Sequence, residues 1–181
     1  MLIINGKKIN KIKKIIKYSI HGIRFVHPEN MSIGNIGIGR LSVLQTWPVY
    51  NNLPTSIGGG YPKMTIHNNV YIGCNCQISC MDRIEIGENT VLGDNVFISD
   101  NLHGNSTMKD MEIEPLKREL YSKGPVNIGK NVLIGRNTCV LSNVEIGDGA
   151  IIGANSVVTH NIPAYCVAVG SPAKIVKEVR K

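Results

Sequence analysis

The stretch from residue 126 to residue 162 repeats with a period of six. Each six is led by an aliphatic residue, with a small or β-branched residue two positions earlier and Asn or Gly three positions later. The leaders are Ile128, Ile134, Val140, Ile146, Ile152 and Val158. A period of six cannot keep one face of an α-helix, whereas an even period keeps the leaders on one side of a strand. Asn and Gly tolerate left-handed backbone best, which suits a sharp corner. The repeat therefore predicts short strands joined by corners, wound into a solenoid that buries the leaders along its axis.

The same rule governs residues 64–101. The leaders there are Ile66, Ile72, Ile78, Ile86, Leu92 and Ile98. One spacing is irregular, because Ile78 and Ile86 are eight residues apart and Met81 takes the corner position between them. Every other predicted corner of the two stretches is Asn or Gly: Asn69, Asn75, Asn89, Asn95, Asn101, Asn131, Asn137, Asn143, Gly149, Asn155 and Asn161. An earlier, ragged coil is predicted over residues 31–46, where Ile38 and Leu44 are six apart.

The C-terminal part of the sequence carries further motifs beside the repeat. Residues 152–158 read Ile-Gly-Ala-Asn-Ser-Val-Val, Ile162-Pro163 follows, and residues 170–174 read Gly-Ser-Pro-Ala-Lys. With the repeat, this ending resembles the hexapeptide-repeat acyltransferases, and most of all their sugar and polysaccharide O-acetyltransferases. The resemblance covers roughly residues 64–178. It implies an all-β solenoid, the left-handed parallel β-helix, assembled as a homotrimer with sites between subunits.

The formal net charge of +7 is concentrated at one end of the chain. Residues 1–28 contain seven basic and no acidic residues, and the remainder contains thirteen of each. Nucleic-acid-binding proteins usually spread basic residues over a binding face, so we expect no nucleic-acid partner. No apolar run approaches membrane-spanning length and no secretory cleavage site is evident, so we expect a cytoplasmic protein. The five cysteines are expected to be reduced and mostly buried.

We predict two parts: a basic helical segment over residues 1–30 and a β-helix domain over residues 31–178. Isoleucines at helical spacing with lysines between them predict a short amphipathic helix over residues 7–20. Such a helix could cap the open end of the solenoid, or contact an anionic membrane at its inner face or a polyanionic glycan. A short C-terminal helix is predicted over residues 171–180.

Two segments lack the period. Residues 47–63 hold the only Trp, two Tyr and many turn residues, so they form a loop that lines an acceptor site or packs against a neighbouring subunit. Residues 99–125 are the second, and we interpret them as an excursion from the solenoid. Regular scaffolds usually carry their functional residues on such loops.

The excursion carries the candidate general base, His103. In the family that this chain resembles, the histidine at this point takes the proton of the acceptor hydroxyl, chemistry that suits an imidazole near neutral pH. Its second ring nitrogen needs a partner. Glu119 is our candidate, because the run from Glu119 to Ser122 matches a family run whose Glu supports the histidine. Asp100, three residues before His103, is the alternative and a candidate for substrate contact.

The resemblance also implies further contacts. The residue aligned with Asn75 contacts the acceptor in related sugar acetyltransferases. The implied acetyl-CoA contacts are Arg136, Ala154, Thr159, His160, Lys174 and Lys177. Three of these are basic and suit phosphates, and Ala154 lets the pantetheine arm lie close. Many members have Trp where this chain has Leu133, so a stacking contact at that position is missing.

We expect no metal. Cys74 and Cys76 lack a second pair at zinc spacing. His67 and His160 are three coils apart, about 14 Å at ~4.8 Å per strand layer, which is too far for one ion within one chain. A site between chains stays open but lacks the expected spacing.

The sequence therefore predicts an acetyl-CoA-dependent O-acetyltransferase acting on a hydroxyl of a sugar or cell-surface polysaccharide precursor. Two alternatives remain open. One is an acetyltransferase of the same fold acting on an antibiotic, serine or an amino sugar. The other is an inactive solenoid that serves as a binding module.

Overall fold

The computed structural model describes residues 2–4, 21–55 and 62–179. The predicted helix over residues 7–20 lies outside these ranges. The strands in chain order are β1 (Leu2–Ile4), β2 (Arg24–Val26), β3 (Met31–Ile33), β4 (Ile36–Ile38), β5 (Val43–Thr46), β6 (Val49–Tyr50), β7 (Leu53–Pro54), β8 (Lys63–Ile66), β9 (Tyr71–Ile72), β10 (Gln77–Cys80), β11 (Arg83–Ile86), β12 (Val91–Leu92), β13 (Phe97–Ser99), β14 (Leu102–His103), β15 (Leu120–Tyr121), β16 (Val126–Ile128), β17 (Leu133–Ile134), β18 (Cys139–Val140), β19 (Val144–Ile146), β20 (Ile151–Ile152), β21 (Val157–Val158), β22 (Cys166–Gly170) and β23 (Ala173–Glu178). One α-helix, α1 (Met108–Met111), and two 3₁₀ turns (Pro28–Asn30 and Pro115–Lys117) complete the described elements.

Three sheets form the faces of a prism. Face A has the strand order β1-β4-β9-β12-β17-β20-β22-β23, face B has β2-β5-β10-β13-β18-β21, and face C has β19-β16-β11-β8-β3. Pairing between successive coils is parallel and in register, as in Ile84 with Val126 and Ile86 with Ile128. Each coil therefore passes from face C to face A to face B, and the chain is a parallel β-helix as the period of six predicts.

The side chains that point into the β-helix are the ones that the repeat predicts. All twelve leaders are at most 2% exposed, and the small residues two positions earlier, such as Thr138 and Ser156, are fully buried. Their hydroxyls are satisfied by backbone: Thr138 Oγ1 donates to the carbonyl of Gly153 at 3.2 Å, and Ser156 Oγ donates to the same carbonyl at 2.7 Å. Buried hydroxyls bonded in this way avoid the cost of an unsatisfied polar group.

The backbone conformation at the corners explains why asparagine recurs in the repeat. Left-handed backbone occurs at nine predicted corners: Asn69, Asn75, Asn89, Asn95, Asn131, Asn137, Asn143, Gly149 and Asn155. At the corner between faces A and B, four asparagine side chains also form a ladder, with Asn75 donating to Asn95 (2.8 Å), Asn95 to Asn137 (2.9 Å) and Asn137 to Asn155 (3.0 Å). The corner residue therefore supplies both the backbone conformation and a bond between coils.

Two predicted corners are wrong. Asn101 and Asn161, both described, are not among the left-handed residues. Instead, Asn101 Nδ2 donates to the Ser79 carbonyl at 2.9 Å, and Asn161 Oδ1 accepts from the Glu145 N–H at 2.8 Å. Both positions adjoin a departure from the repeat: Asn101 lies at the start of the excursion, and Asn161 shortly precedes Pro163. Asparagine keeps its bonding role at these positions without the corner conformation.

The ends of the β-helix also differ from the prediction. The boundary at residue 30 is too late, because β2 pairs in parallel with β5 and belongs to face B. The predicted C-terminal helix is wrong, since residues 173–178 form β23, which pairs antiparallel with β22. The last parallel strand of face A exposes unpaired backbone groups, and a strand satisfies them where a helix would not. The β-branched pair Ile175 and Val176 favours the same outcome.

Candidate active site

The excursion over residues 99–125 leaves the β-helix along β14 and comes back along β15, and these two strands pair antiparallel. Leu102 pairs with Tyr121 and His103 with Leu120, and the Gly104 N–H donates to the Glu119 carbonyl at 2.9 Å. Gly104 has φ +84°, where a β-carbon would be strained. His103 is the second residue of β14, so it lies on the side of the hairpin away from the β-helix, just outside the corner between faces B and C.

Helix α1 closes the far end of the excursion. Thr107 caps it, and Thr107 and Asp110 form a reciprocal capping box. Asp110 also accepts from the Asn105 N–H at 2.8 Å. The hydrogen bond from the Thr107 hydroxyl, with that from Asn105, lowers the pKa of Asp110. The charged form is therefore the one that organises this turn.

His103 is exposed, and its ring contacts the loop that begins at residue 47. The Tyr50 hydroxyl lies 3.3 Å from His103 Nδ1, and the two rings meet edge to face with centroids 5.3 Å apart. Tyr50 in turn packs edge to face on Trp47, at 5.9 Å. Trp47 Nε1 donates to Ser79 Oγ on the solenoid wall at 2.9 Å. A chain of contacts thus connects the wall to the candidate base.

Glu119 does not occupy the position predicted for it. The side chain that contacts His103 Nδ1 belongs to Tyr50, and Glu119 meets the hairpin through its backbone carbonyl. The Glu119 side chain is exposed and lines a neighbouring cleft. The structure therefore gives Glu119 a place beside the base, in contact with the open cleft instead of the imidazole.

Asp100 is fully buried, a position that does not suit the roles predicted for it as a substrate contact or as the partner of His103. Its two oxygens accept from the N–H groups of Met81 (2.7 Å) and Asp82 (2.8 Å). Burial raises the pKa of Asp100, and the two backbone donors oppose that shift. These bonds replace the missing corner between Ile78 and Ile86, so Asp100 supports the irregular turn at Met81.

A cleft of about 610 Å³ lies beside the hairpin. The loop after Trp47 and the excursion form its walls, with the side chains of Tyr50, Leu53, Lys117, Glu119 and Tyr121 among its lining. Tyr50 borders both this cleft and His103. The sequence predicts a functional role for the loop but does not single out Tyr50. The signal for it is the aromatic, turn-rich composition of residues 47–63.

Five of the six residues implied for acetyl-CoA lie at or near two corners. Arg136 and Ala154 stack in successive coils at the corner between faces A and B, where Asn75 also lies. Lys174 pairs with Val169 near the same end of face A, whereas Lys177 pairs with Val167 farther along the strand. Thr159 and His160 follow β21 at the corner between faces B and C and bond each other at 2.8 Å. Within one chain, Asn75 and His103 therefore lie at opposite edges of face B.

The remaining histidines stand apart from this site. His67 Nε2 lies 2.9 Å from a Glu85 oxygen on face C, and His27 contacts Glu29. In the described ranges, no three His, Cys, Asp or Glu side chains gather as they would around a metal ion. Among the helices described, none is long and apolar enough to cross a membrane.

Comparisons with known proteins agree with this architecture. Residues 125–160 match the family described as bacterial transferase hexapeptide (six repeats). The hexapeptide-repeat resemblance is thereby confirmed, and with it the left-handed parallel β-helix.

Solved structures share the fold over nearly the whole chain. AntD, an N-acyltransferase from Bacillus cereus solved with dTDP-4-amino-4,6-dideoxyglucose and coenzyme A, is 19% identical with a TM-score of 0.73, over 99% of this chain and 91% of that one. A maltose O-acetyltransferase from Clostridium difficile is 23% identical with a TM-score of 0.65, over 97% and 84%.

Sequence relatives match over a shorter span. The 2,3,4,5-tetrahydropyridine-2,6-dicarboxylate N-acetyltransferase of Enterococcus faecalis is 45% identical over 58 residues, which are 32% of this chain and 25% of that protein. The chain spans about a quarter to a third of the length of the curated relatives it matches.

Proposed function

We propose that the protein transfers an acetyl group from acetyl-CoA to a sugar hydroxyl, with His103 as general base. The observation that carries the proposal is the placement of His103. It stands on an ordered hairpin that leaves a hexapeptide-repeat β-helix, and Tyr50 links it to an open cleft. An exposed imidazole held beside a cleft is what proton abstraction from a hydroxyl requires.

The reaction needs one proton acceptor. As the acceptor oxygen bonds to the thioester carbonyl carbon, its proton moves to a nitrogen of His103. The carbon–sulfur bond then breaks, and the same proton passes to the departing thiolate, which leaves as free CoA. Atoms and charge balance without any further reactant, and His103 returns to its neutral form.

The acetyl donor would lie along the corner between faces A and B. Arg136 and Lys174 are exposed there and offer positive charge to phosphates. Ala154 is an exposed small residue one coil below Arg136, so a pantetheine arm can pass close to the backbone. AntD has the same fold and was solved with coenzyme A, which supports this assignment.

A homotrimer is part of the proposal. The donor corner and His103 lie on opposite edges of face B, so a complete site needs a second copy to bring them together. Face A also presents an outward apolar column, with Tyr71 and Val91 each 37% exposed, Leu133 45% and Ile151 41%. Packing this column against another copy would bury it.

The cleft offers two acceptor chemistries. Its tyrosines, Tyr50 and Tyr121, suit the faces of a sugar ring, and the maltose O-acetyltransferase with this fold supports a hydroxyl acceptor. Glu119 adds an exposed carboxylate to the cleft, which would favour an ammonium group. An amino sugar, as with AntD, is therefore the second candidate. A precursor of a surface polysaccharide contains both kinds of group.

Matched acceptors separate the two candidates. Free CoA thiol would be followed with glucose and glucosamine, maltose and a set of surface oligosaccharides, using wild type, Glu119→Gln and His103→Ala. We expect turnover with a hydroxyl acceptor that collapses in His103→Ala. Turnover confined to amino sugars, and lost in Glu119→Gln, would instead support N-acylation. Failure to bind CoA would favour the inactive binding module.

Cytoplasmic location remains a prediction, as does contact of the basic N-terminal segment with a membrane. Residues 5–20 fall outside the described part of the chain.

A further inference from the structure

We propose that Tyr50 is the positioning residue of His103 and holds the ring as the Nδ1–H tautomer. This inference rests on the proposed function for its catalytic meaning. Its structural content concerns only the proton on one ring nitrogen.

The first step is the Tyr50 hydroxyl proton. A phenol has one proton to donate, and a backbone carbonyl can only accept. The Tyr50 oxygen lies 2.9 Å from the Leu116 carbonyl oxygen and 3.3 Å from His103 Nδ1. The shorter of these contacts is the one that takes the proton. Tyr50 therefore faces Nδ1 with a lone pair.

The second step follows for the imidazole. A neutral ring carries one N–H and one lone pair, and which nitrogen has the proton is inferred from its partners. Because the Tyr50 oxygen presents a lone pair, Nδ1 must carry the hydrogen. Nε2 is then the free base. When Nε2 gains the acceptor proton, Nδ1–H keeps the same partner, so no rearrangement is needed during turnover.

The third step is rigidity. Leu116 lies in the 3₁₀ turn of the excursion, and its carbonyl also accepts from Asn51 Nδ2 at 3.0 Å. Trp47 packs edge to face on the Tyr50 ring, and its Nε1 donates to Ser79 Oγ on the wall of the β-helix. The loop after β5 and the excursion are thus joined at one point, next to His103. Tyr50 fills the place that a carboxylate or carbonyl takes beside many catalytic histidines.

The test is Tyr50→Phe, read by ¹⁵N spectroscopy of histidine-labelled protein at a pH where the imidazoles are neutral. The chain has five histidines, and the His103→Ala spectrum assigns the resonance. We expect Nδ1–H in wild type and loss of that preference in Tyr50→Phe. Tyr165→Phe is the matched control, since that tyrosine is an exposed corner residue on another edge. Circular dichroism of each variant serves as the check on folding.

Kinetics give the second readout. Loss of one hydrogen bond to the base should lower kcat about tenfold with the KM for acetyl-CoA unchanged. In a His103→Ala background, Tyr50→Phe should cause no further loss, because it acts through the ring.

A wild-type ring protonated at Nε2, or a tautomer that Tyr50→Phe leaves unchanged, would overturn the proposal even if the protein has no acyltransferase activity. In an active enzyme, additive losses in the double variant, or a changed tautomer with normal kcat, would overturn the role in the reaction.

Discussion

Asn95 should contribute to stability in two ways, through its backbone and through its side chain. It is the second member of the asparagine ladder at the corner between faces A and B, with left-handed backbone at φ +58°. Its Oδ1 accepts from Asn75 at 2.8 Å and its Nδ2 donates to Asn137 at 2.9 Å. Asn95→Ala removes both hydrogen bonds. It also leaves alanine, which has no polar side chain to bond locally, in the left-handed region.

Two terms add up in Asn95→Ala. The exposed side-chain bonds are each worth about 0.5 kcal/mol, at the low end for hydrogen bonds. Left-handed backbone costs an ordinary residue about 1–2 kcal/mol. We therefore expect the free energy of unfolding to fall by about 2–3 kcal/mol. Asn95→Gly also loses the bonds and avoids the left-handed backbone cost of about 1–2 kcal/mol, but glycine loses about 0.5–1 kcal/mol more conformational entropy on folding than alanine does. It should therefore be less destabilising than Asn95→Ala by about 0.5–1 kcal/mol.

Asn161→Ala is the matched control. Asn161 has the equivalent place in the sequence repeat but is not left-handed, and it makes one bond, to the Glu145 N–H. It should cost about 0.5–1 kcal/mol. Urea unfolding followed by circular dichroism, at one protein concentration, measures all three variants. Equal losses in Asn95→Ala and Asn161→Ala, or a greater loss in Asn95→Gly than in Asn95→Ala, would show that the left-handed backbone is not what makes Asn95 important.

Three further outcomes are expected. Asp100→Asn should lower the free energy of unfolding by about 1–3 kcal/mol, because the amide nitrogen cannot accept from the Asp82 N–H; unchanged stability in a urea titration would contradict the structural role of Asp100. Arg136→Ala should raise the KM for acetyl-CoA about tenfold with little change in kcat, and steady-state kinetics in which only kcat falls would be the opposite result. With a thiol reagent, native protein should react at the half-buried Cys74 and Cys139, while the three buried cysteines wait for unfolding. Burial raises the pKa of the Cys76 thiol to about 11, which slows it further, so five equally fast thiols would contradict the burial.

The period of six allowed the solenoid, its inward residues and most of its corners to be predicted. The reason is physical: each coil contacts only its neighbours, so local sequence decides local structure. The alternation of side chains along a strand also predicts that Asp100 is buried. It lies two positions after the leader Ile98, so strand alternation already puts it on the inward face.

The partner of His103 could not be predicted in this way. Tyr50 is separated from His103 by 53 residues. Both lie outside the repeat, in segments whose path depends on contacts between loops. The C-terminal strand was missed for a related reason. The segment 173–178 is short and mixes polar with apolar residues. Its strand conformation depends on the open edge of β22, which exists only once the β-helix has formed.

The decisive measurement is acetyl-CoA turnover by His103→Ala, made together with CoA affinity by calorimetry on the same preparation. If His103 is the general base, the variant should bind CoA as tightly as wild type, and its kcat should be about 10²–10⁴-fold lower with the best acceptor of the panel. Equal turnover in the two proteins would contradict the assignment of His103 as base. An absence of CoA binding in wild type would contradict the acyltransferase itself.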